Sequence, residues 1–346
     1  MTTPFRILTP DAQFHDDGAV ERATAGPDCV IDLRRARRVE DIPDAAYAAC
    51  DAMLVWHELP INHDVVKRLS RCRVIVRAGV GFDHLDLEAA GAAGIPVCNT
   101  PDYGTSEVAD HAIALMLGLR RGLATYHREL VSDPVKGFDW GKAPLVKRNR
   151  GTVFGVLGMG RIGTATALRA KAFGFEVIGY DPYAPRGQEI SLGIKRYDSM
   201  KEFLGAADIV SIHTPLNAET RSLIDRAAFA AMRSNALVIN TARGAIIDLD
   251  DLYQALKDNR IAGAGIDVFP EEPADLKRPF WQAVREQPAW LRERILLSPH
   301  AAWYSPESQH DARRLAVETL VLYLRSGELR NCVNREYLRA ARPWRG

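Results

Sequence analysis

An arginine, a glutamate and a histidine each follow an apolar run in the second half of this chain. Ala236–Asn240 is followed by Thr241-Ala242-Arg243-Gly244, and Gly263–Val268 by Phe269-Pro270-Glu271-Glu272-Pro273. Ile295–Leu297 is followed by Ser298-Pro299-His300-Ala301-Ala302-Trp303. As parallel strands these runs would share one carboxyl edge, the edge at which open α/β sheets bind ligands. A guanidinium fork there pairs with a substrate carboxylate and polarises a neighbouring carbonyl. A histidine protonates an alkoxide that forms as hydride arrives. A carboxylate beside it orients the ring and favours its charged form. Together they fit reduction of a 2-keto acid. That chemistry needs no serine or cysteine nucleophile, and no cluster of metal ligands is visible.

Each residue also has a plainer reading. Arg243 could be a surface or helix-end cation, and His300 a satisfied structural histidine. Glu272 could be a solvated carboxylate in a Pro-containing loop, where Glu271 is easily confused with it. His213 and Asp267, also at strand ends, could cap strands or face a cofactor. Joint placement at one sheet edge is what the plainer readings do not supply.

The hydride needs a carrier, and the chain has a segment suited to one. The run Val153–Leu157 leads into Gly158-Met159-Gly160-Arg161-Ile162-Gly163, an Ala-rich helical pattern, a second apolar run and Asp181. Strand, glycine turn, helix, strand and acid is the order that binds a dinucleotide. Gly158 permits the tight turn, Gly160 lets backbone approach the pyrophosphate, and Gly163 lets helix and strand pack closely. The N–H groups at Arg161 and Ile162, opening the helix, would receive the negative charge. Asp181 would accept from the ribose hydroxyls and repel a 2′-phosphate, so NAD is expected rather than NADP. Glycines also punctuate ordinary turns; the surrounding strand–helix–strand–acid order is what makes this a nicotinamide-binding domain.

The elements that must position these groups alternate along the chain. Strands are expected at Phe5–Thr9, Cys29–Leu33, Ala52–Trp56, Arg73–Ala78 and Pro96–Asn99, with helices at Val65–Ser70 and Leu85–Ala93. This alternation implies a parallel sheet covered on both faces. A Ser106 N-cap opens a helical pattern from Glu107 to about Leu123, with acids at its start and arginines near its end. Residues 132–150 read as a surface connector. Beyond the glycine segment come strands Ile209–His213, Ala236–Asn240, Gly263–Val268 and Ile295–Leu297. Glu271–Gln287 reads as a loop with a helical turn or two, and Pro306–Ser326 as a closing amphipathic helix.

Composition sets bounds. At 346 residues the chain exceeds the usual single core, so two domains are expected. The 45 basic residues nearly cancel the 44 acidic ones, so nothing points to nucleic acid or membrane, and the Arg34–Arg38 cluster is explained as a solvated face. The five cysteines, Cys29, Cys50, Cys72, Cys98 and Cys332, are widely spaced, odd in number and without a CxxC, and several sit in apolar runs, where a buried free thiol is expected. The N-terminus lacks a signal-peptide pattern and no stretch is long enough to span a membrane, so a cytoplasmic location is the default.

Five motifs in order, GVLGMGRIG, HTPLNAETRSLI, NTARGAIID, GAGIDVFPEEP and SPHAAW, resemble the D-isomer-specific 2-hydroxyacid dehydrogenase family along nearly the whole chain. The resemblance implies a catalytic set of Arg243, Glu272 and His300, and cofactor contacts at His213, Thr214, Pro215, Thr241, Ala242, Asp267 and Val108. Glutamate at 272 argues against the formate dehydrogenase branch, which has glutamine there. HAAWYSPES and Val76–Asp83 further resemble the C-terminal-binding-protein branch, which includes NAD(H)-linked corepressors. That likeness implies substrate contacts at Trp303 and Arg77, with backbone amides around Val80 and Gly81 available to a carboxylate. Core aromatic and surface cation are the plainer readings of Trp303 and Arg77. The implied fold is two doubly wound parallel-sheet domains, a Rossmann NAD-binding domain (104–298) inserted into a flavodoxin-like substrate domain (1–103 plus 299–346), with the active site in the cleft between them. It also implies a homodimer, formed through the helix at 106–123 and the connector after it. An NAD(H)-sensing protein with weak dehydrogenase activity is the alternative. Phosphoglycerate is disfavoured as substrate, because the chain ends soon after its closing helix, and Trp303 suits a bulky or apolar keto acid better than glyoxylate.

Overall fold

The computed structural model describes residues 3–338, which fall into two compact units. One contains the chain up to Gly104 and again from Ser305; the other is Thr105–Tyr304. The second crossing therefore lies at 304/305 rather than near the expected 299. The turn after Ser298 stays with the second unit because the Asp267 carboxylate binds the amides of Ala301 and Ala302 at 2.9 and 3.0 Å.

The first unit is a five-stranded parallel sheet of β1 (Phe5–Thr9), β2 (Cys29–Leu33), β3 (Ala52–Val55), β4 (Ile75–Arg77) and β5 (Val97–Cys98), ordered β2-β1-β3-β4-β5. This is the flavodoxin-like order. Every residue of β3 is buried, as expected for a strand covered on both faces. Leu8, Met53, Val55, Ile75 and Val97 form one core with Tyr47 and Leu59. The helix Pro306–Ser326 packs on this sheet and on the helix Ala19–Ala25. It opens with Ser305 accepting from the Ser308 amide and Pro306 in its first turn, a start that contributes about 1 kcal/mol.

The second unit has seven parallel strands: β6 (Val153–Leu157), β7 (Glu176–Tyr180), β8 (Lys195–Tyr197), β9 (Ile209–Ile212), β10 (Leu237–Asn240), β11 (Gly263–Ile266) and β12 (Ile295–Leu297). Their order is β12-β11-β10-β9-β6-β7-β8. Read from β8 to β11 this is the doubly wound dinucleotide order, with its switch point between β6 and β9 and β12 added at the edge. Alternate residues serve opposite faces: Phe154 and Val156 join one core with Ala112 and Met116, while Leu157 joins the other with Phe203 and Val238.

The region around residues 105–132 differs from expectation in two ways. The long helix is Thr105–Arg121, so Ser106 lies inside its first turn and is not its cap. Gly122, at φ 65°, ends it, and a second helix, Leu123–Ser132, begins at once. The helical turn or two expected within Glu271–Gln287 is the eight-residue helix Pro279–Glu286, whose first turn Pro279 occupies, where a missing N–H costs nothing.

Candidate active site

The glycine turn is shaped by close approach. Gly158 has φ 92°, and a Cβ there would sit 2.7 Å from the Thr214 amide nitrogen. A Cβ at Gly163 would lie 1.9 Å from the Gly158 carbonyl oxygen, so the helix Arg161–Ala172 can start here only on glycine. At Gly160 a Cβ would meet nothing within 4 Å. The second glycine therefore keeps open the space that a pyrophosphate uses. Asp181 bridges the turn: its Oδ2 accepts from the Met159 amide at 2.8 Å, its Oδ1 from those of Tyr183 and Ala184 at 2.9 and 3.1 Å. Asp181 and Gly160 line one groove with Arg161, Thr164, Tyr183 and Gln188.

The neighbouring strand ends hold orphaned polar atoms. His213 follows β9; its Nε2 meets Ser211 Oγ at 2.8 Å, while its buried Nδ1 has no hydrogen-bond partner among the described residues. Burial pushes this imidazole down to about 3, so the ring is neutral at physiological pH. Thr241 follows β10, and its buried Oγ1 is likewise without a partner. Buried polar atoms are seldom left so, and two at the ends of the strands that continue the sheet from the glycine turn fit a cofactor that brings its own donors and acceptors. Asn240 shapes the next turn, its side chain accepting from the Ala242 amide and donating to the Arg243 carbonyl. Arg243 Nη1 donates to the Ala242 carbonyl at 2.8 Å. A Cβ at Gly244 would fall 1.9 Å from the Phe269 carbonyl carbon, so glycine lets the loops after β10 and β11 touch.

A histidine–glutamate pair lies at the ends of β11 and β12. His300 Nδ1 is 2.6 Å from Glu272 Oε2, and Glu272 Oε1 accepts from the Phe269 amide at 2.7 Å. Burial raises the Glu272 carboxyl, but hydrogen bond and charge from His300, the Phe269 amide and the Arg243 charge outweigh it and leave it lowered. Arg243, Glu272 and His300 thus share one electrostatic neighbourhood. Glu271 goes elsewhere, accepting from Arg278, which resolves which of the adjacent glutamates faces the histidine. Phe269, Pro273, Trp281 and Leu297 form an apolar hollow against the pair and lower its local dielectric.

His300 sits at φ 53°, a conformation few non-glycine residues adopt. Asp267 holds it there. Its carbonyl accepts from the His300 amide at 2.7 Å, and its fully buried carboxylate accepts from Ser298 Oγ at 2.6 Å and from the amides of Ala301 and Ala302. Asp267 is thus seen clamping the histidine turn. One contributor escaped the sequence reading: His111 Nε2, on the helix Thr105–Arg121, lies 2.8 Å from Ser298 Oγ and 3.6 Å from Asp267 Oδ1. Only the apolar spacing of that helix was legible, and a histidine on it looks like any helix residue. Val108 is buried in the same helix. Trp303 lies in this turn with its ring edge-on to Tyr304 at 5.7 Å.

Arg77, Val80 and Gly81 belong to the other unit, at the end of β4. Arg77 is buried, its Nη1 donating to the Ala78 carbonyl at 2.5 Å. Gly79 makes room for it, since a Cβ there would lie 1.3 Å from Nη1. Asn99 and Thr100 fasten the loop through the carbonyls of Val80 and Arg77, at 2.7 and 2.9 Å.

A dinucleotide sheet whose strand ends carry an arginine and a glutamate–histidine pair defines a nicotinamide-linked oxidoreductase. Residues 113–302 match the model of the D-isomer specific 2-hydroxyacid dehydrogenase, NAD binding domain, and the chain belongs to that family, whose members are NAD(P)-dependent oxidoreductases acting on the CH–OH group of hydroxy acids. It is 33% identical over 334 residues to D-3-phosphoglycerate dehydrogenase of Methanocaldococcus jannaschii, a match covering 95% of this chain and 59% of that protein. The chain thus spans about three-fifths of that relative's length. It is also 33% identical over 295 residues to a glyoxylate reductase of Korarchaeum cryptofilum, covering 85% and 86%. Among solved structures, the NADPH-dependent glyoxylate/hydroxypyruvate reductase of Sinorhizobium meliloti, in complex with NADP and malonate, superposes with a TM-score of 0.82 at 28% identity, over 99% of both chains.

Proposed function

We propose that this 2-hydroxyacid dehydrogenase acts with NAD rather than NADP and works as a reductase of 2-keto acids. The carrying observation is the 2.6 Å contact between His300 Nδ1 and Glu272, on a carboxylate that also feels Arg243. When bound, the nicotinamide supplies the hydride. Arg243 binds the substrate carboxylate and draws charge from its carbonyl. With Nδ1 committed to Glu272, His300 hands a proton from Nε2 to the substrate oxygen, and Glu272 balances the imidazolium. Asp267 and His111 keep the histidine turn in place. His213 and Thr241 take the cofactor side of the site, with Thr214, Pro215, Ala242 and Val108 in contact with it. Arg77 and the amides of Val80 and Gly81 are assigned to the substrate carboxylate, Trp303 to its side chain.

Asp181, fixed by three amides, supports NAD: a 2′-phosphate beside it would meet like charge. A homodimer is supported by an exposed apolar strip that a monomer has little reason to keep, with Leu123, Val131, Val135, Phe138 and Trp140 between 63% and 90% exposed. Among the described residues no helix is long and apolar enough to cross a membrane, and a cytoplasmic location is part of this reading. The relatives above are named as dehydrogenases and reductases, which favours turnover over the sensing role of a C-terminal-binding-protein-like branch.

The test is NADH oxidation against 2-keto acids graded from glyoxylate to aromatic, with NADPH as control. Turnover with NADH at least tenfold above NADPH is expected. Equal rates would remove Asp181 as the selector. NADH binding without turnover of any acid would leave the sensing protein.

A further inference from the structure

The sequence shows five separate cysteines, but the fold brings four of them together as two thiol pairs in the first unit. Cys50 hydrogen-bonds with Cys72, and Cys98 with Cys332. The second pair has a defined backbone register. The Asn99 amide donates to the Asn331 carbonyl at 3.2 Å and the Val333 amide to the Val97 carbonyl at 2.8 Å. Cys98 and Cys332 stand directly opposite between those two bonds, as an antiparallel bridge. A pair framed in this way is the narrow, non-hydrogen-bonded kind, with Cα atoms about 4.5 Å apart and side chains on the same face. That separation lies within the roughly 4.4–6.8 Å that a disulfide spans.

We propose that Cys98 and Cys332 are a reversible disulfide site that takes a low-molecular-weight disulfide, such as oxidised glutathione, as its oxidant. Cys332 is partly exposed and Cys98 buried, so Cys332 is the sulfur that an oxidant reaches. The Cys98 thiol bonded to it holds the Cys332 thiol below its ordinary range against the opposing effect of burial, with Arg335 helping, while the same contact and burial push Cys98 up. Cys332, the sulfur an oxidant reaches, is therefore the attacking thiol and Cys98 the resolving one. The Cys332 thiolate attacks one sulfur of the oxidant, its S–S bond breaks, and one small thiol leaves. Cys98 then loses its proton, attacks Cys332 Sγ and expels the second. Two electrons pass from the protein thiols to the small disulfide, which leaves as two thiols.

The bond would staple residues 331–334 to β5, the edge strand of the sheet. Asn334 already ties the same place, accepting from the Val97 amide at 2.8 Å and donating to the Ile95 carbonyl at 3.0 Å. The two residues after Cys98, Asn99 and Thr100, are those that fasten the Arg77–Gly81 loop. Cys50 and Cys72 provide an internal control. Both are at most 2% exposed, so no oxidant reaches them in the folded protein.

The test is to equilibrate the whole folded protein in glutathione buffers from reducing to oxidising, trap free thiols by alkylation, and map peptides by mass spectrometry. A joined Cys98–Cys332 peptide pair is expected at the oxidising end, reversed by dithiothreitol, with Cys50 and Cys72 alkylated throughout. Cys98→Ser should instead accumulate glutathione on Cys332. Wild-type protein that ends with both thiols alkylated, or with glutathione on Cys332 and Cys98 free, would overturn the proposal. The readout involves no substrate, so its failure leaves the proposed activity untouched.

Discussion

Two clusters of opposite charge, one in each unit, show what separates a strut from a catalyst. In the first unit Arg313 donates four hydrogen bonds of 2.6–2.7 Å to Asp16 and Glu21, with the Phe14 ring 3.6 Å from its guanidinium carbon. Arg313 and Glu21 are almost wholly buried. Four of its five N–H donors are met within one unit, which leaves the arginine little to offer a ligand. In the second unit Glu272 holds His300 by a single nitrogen, in a turn at φ 53°, with both side chains still partly exposed. A buried, multiply bonded cluster stabilises; a strained pair left partly exposed is placed to react.

The largest effect should come from breaking the second cluster. His300→Ala is expected to lower kcat by about 10²–10⁴-fold, the range for losing a general acid, while NADH affinity and melting temperature stay near wild type. Fluorescence titration with NADH checks this directly: lost binding would make His300 a structural residue after all.

Breaking the first cluster should do the reverse. Arg313→Ala leaves Glu21 buried without its partner, at a cost of about 3–5 kcal/mol to the fold. Urea denaturation followed by a probe in the first unit should show that loss, and protein still folded at low temperature should bind NADH normally. An unchanged midpoint would mean that Glu21 is resolvated or protonated at little cost.

The comparison also shows which features were legible. β1, β2, β12 and the helix Pro306–Ser326 have the bounds expected, because a short apolar run between turn residues, or a Ser-Pro start before a periodic pattern, leaves little choice. β8 is Lys195–Tyr197, an edge strand without an apolar run, and its pairing with β7 comes from the sheet rather than from its own residues. The break at Gly122 was hidden because glycine inside a helical pattern is often tolerated. At the site, glycines and strand-end residues were readable because the fold requires those types there. His111, and the task of Asp267 in bending the turn of His300, were not, since both depend on contacts between residues 31 or more positions apart.

Acid sharpens the contrast further. The hydrogen bond from Arg313, against a small opposing effect of burial, holds the Asp16 carboxyl down to about 2 from an ordinary 3.8. A carboxyl lowered on folding stabilises the protein fully above its unfolded value and loses that contribution as pH falls through the folded one. Stability should therefore fall between about pH 4 and pH 2, and Asp16→Asn should flatten that fall in a melting-temperature series. Asp16 is nearly half exposed, so the change should be smaller than that of Arg313→Ala. Identical acid limbs in both proteins would assign the loss to other carboxyls.

The smallest effect separates two roles within the reactive turn itself. Trp303 follows His300 by three residues and packs edge-on against Tyr304, so it could scaffold the turn or line the space for a substrate side chain. A lining residue affects only substrates long enough to touch it. Trp303→Ala should then raise KM for aromatic and branched 2-keto acids by about tenfold, near the low end of what apolar contacts give in discrimination, with kcat and the constants for glyoxylate nearly unchanged. A scaffold affects every substrate alike, because a displaced His300 slows each proton transfer. Equal losses in kcat for glyoxylate and for the bulky acids would therefore move Trp303 from the substrate side of the site to the supporting side, beside Asp267 and His111.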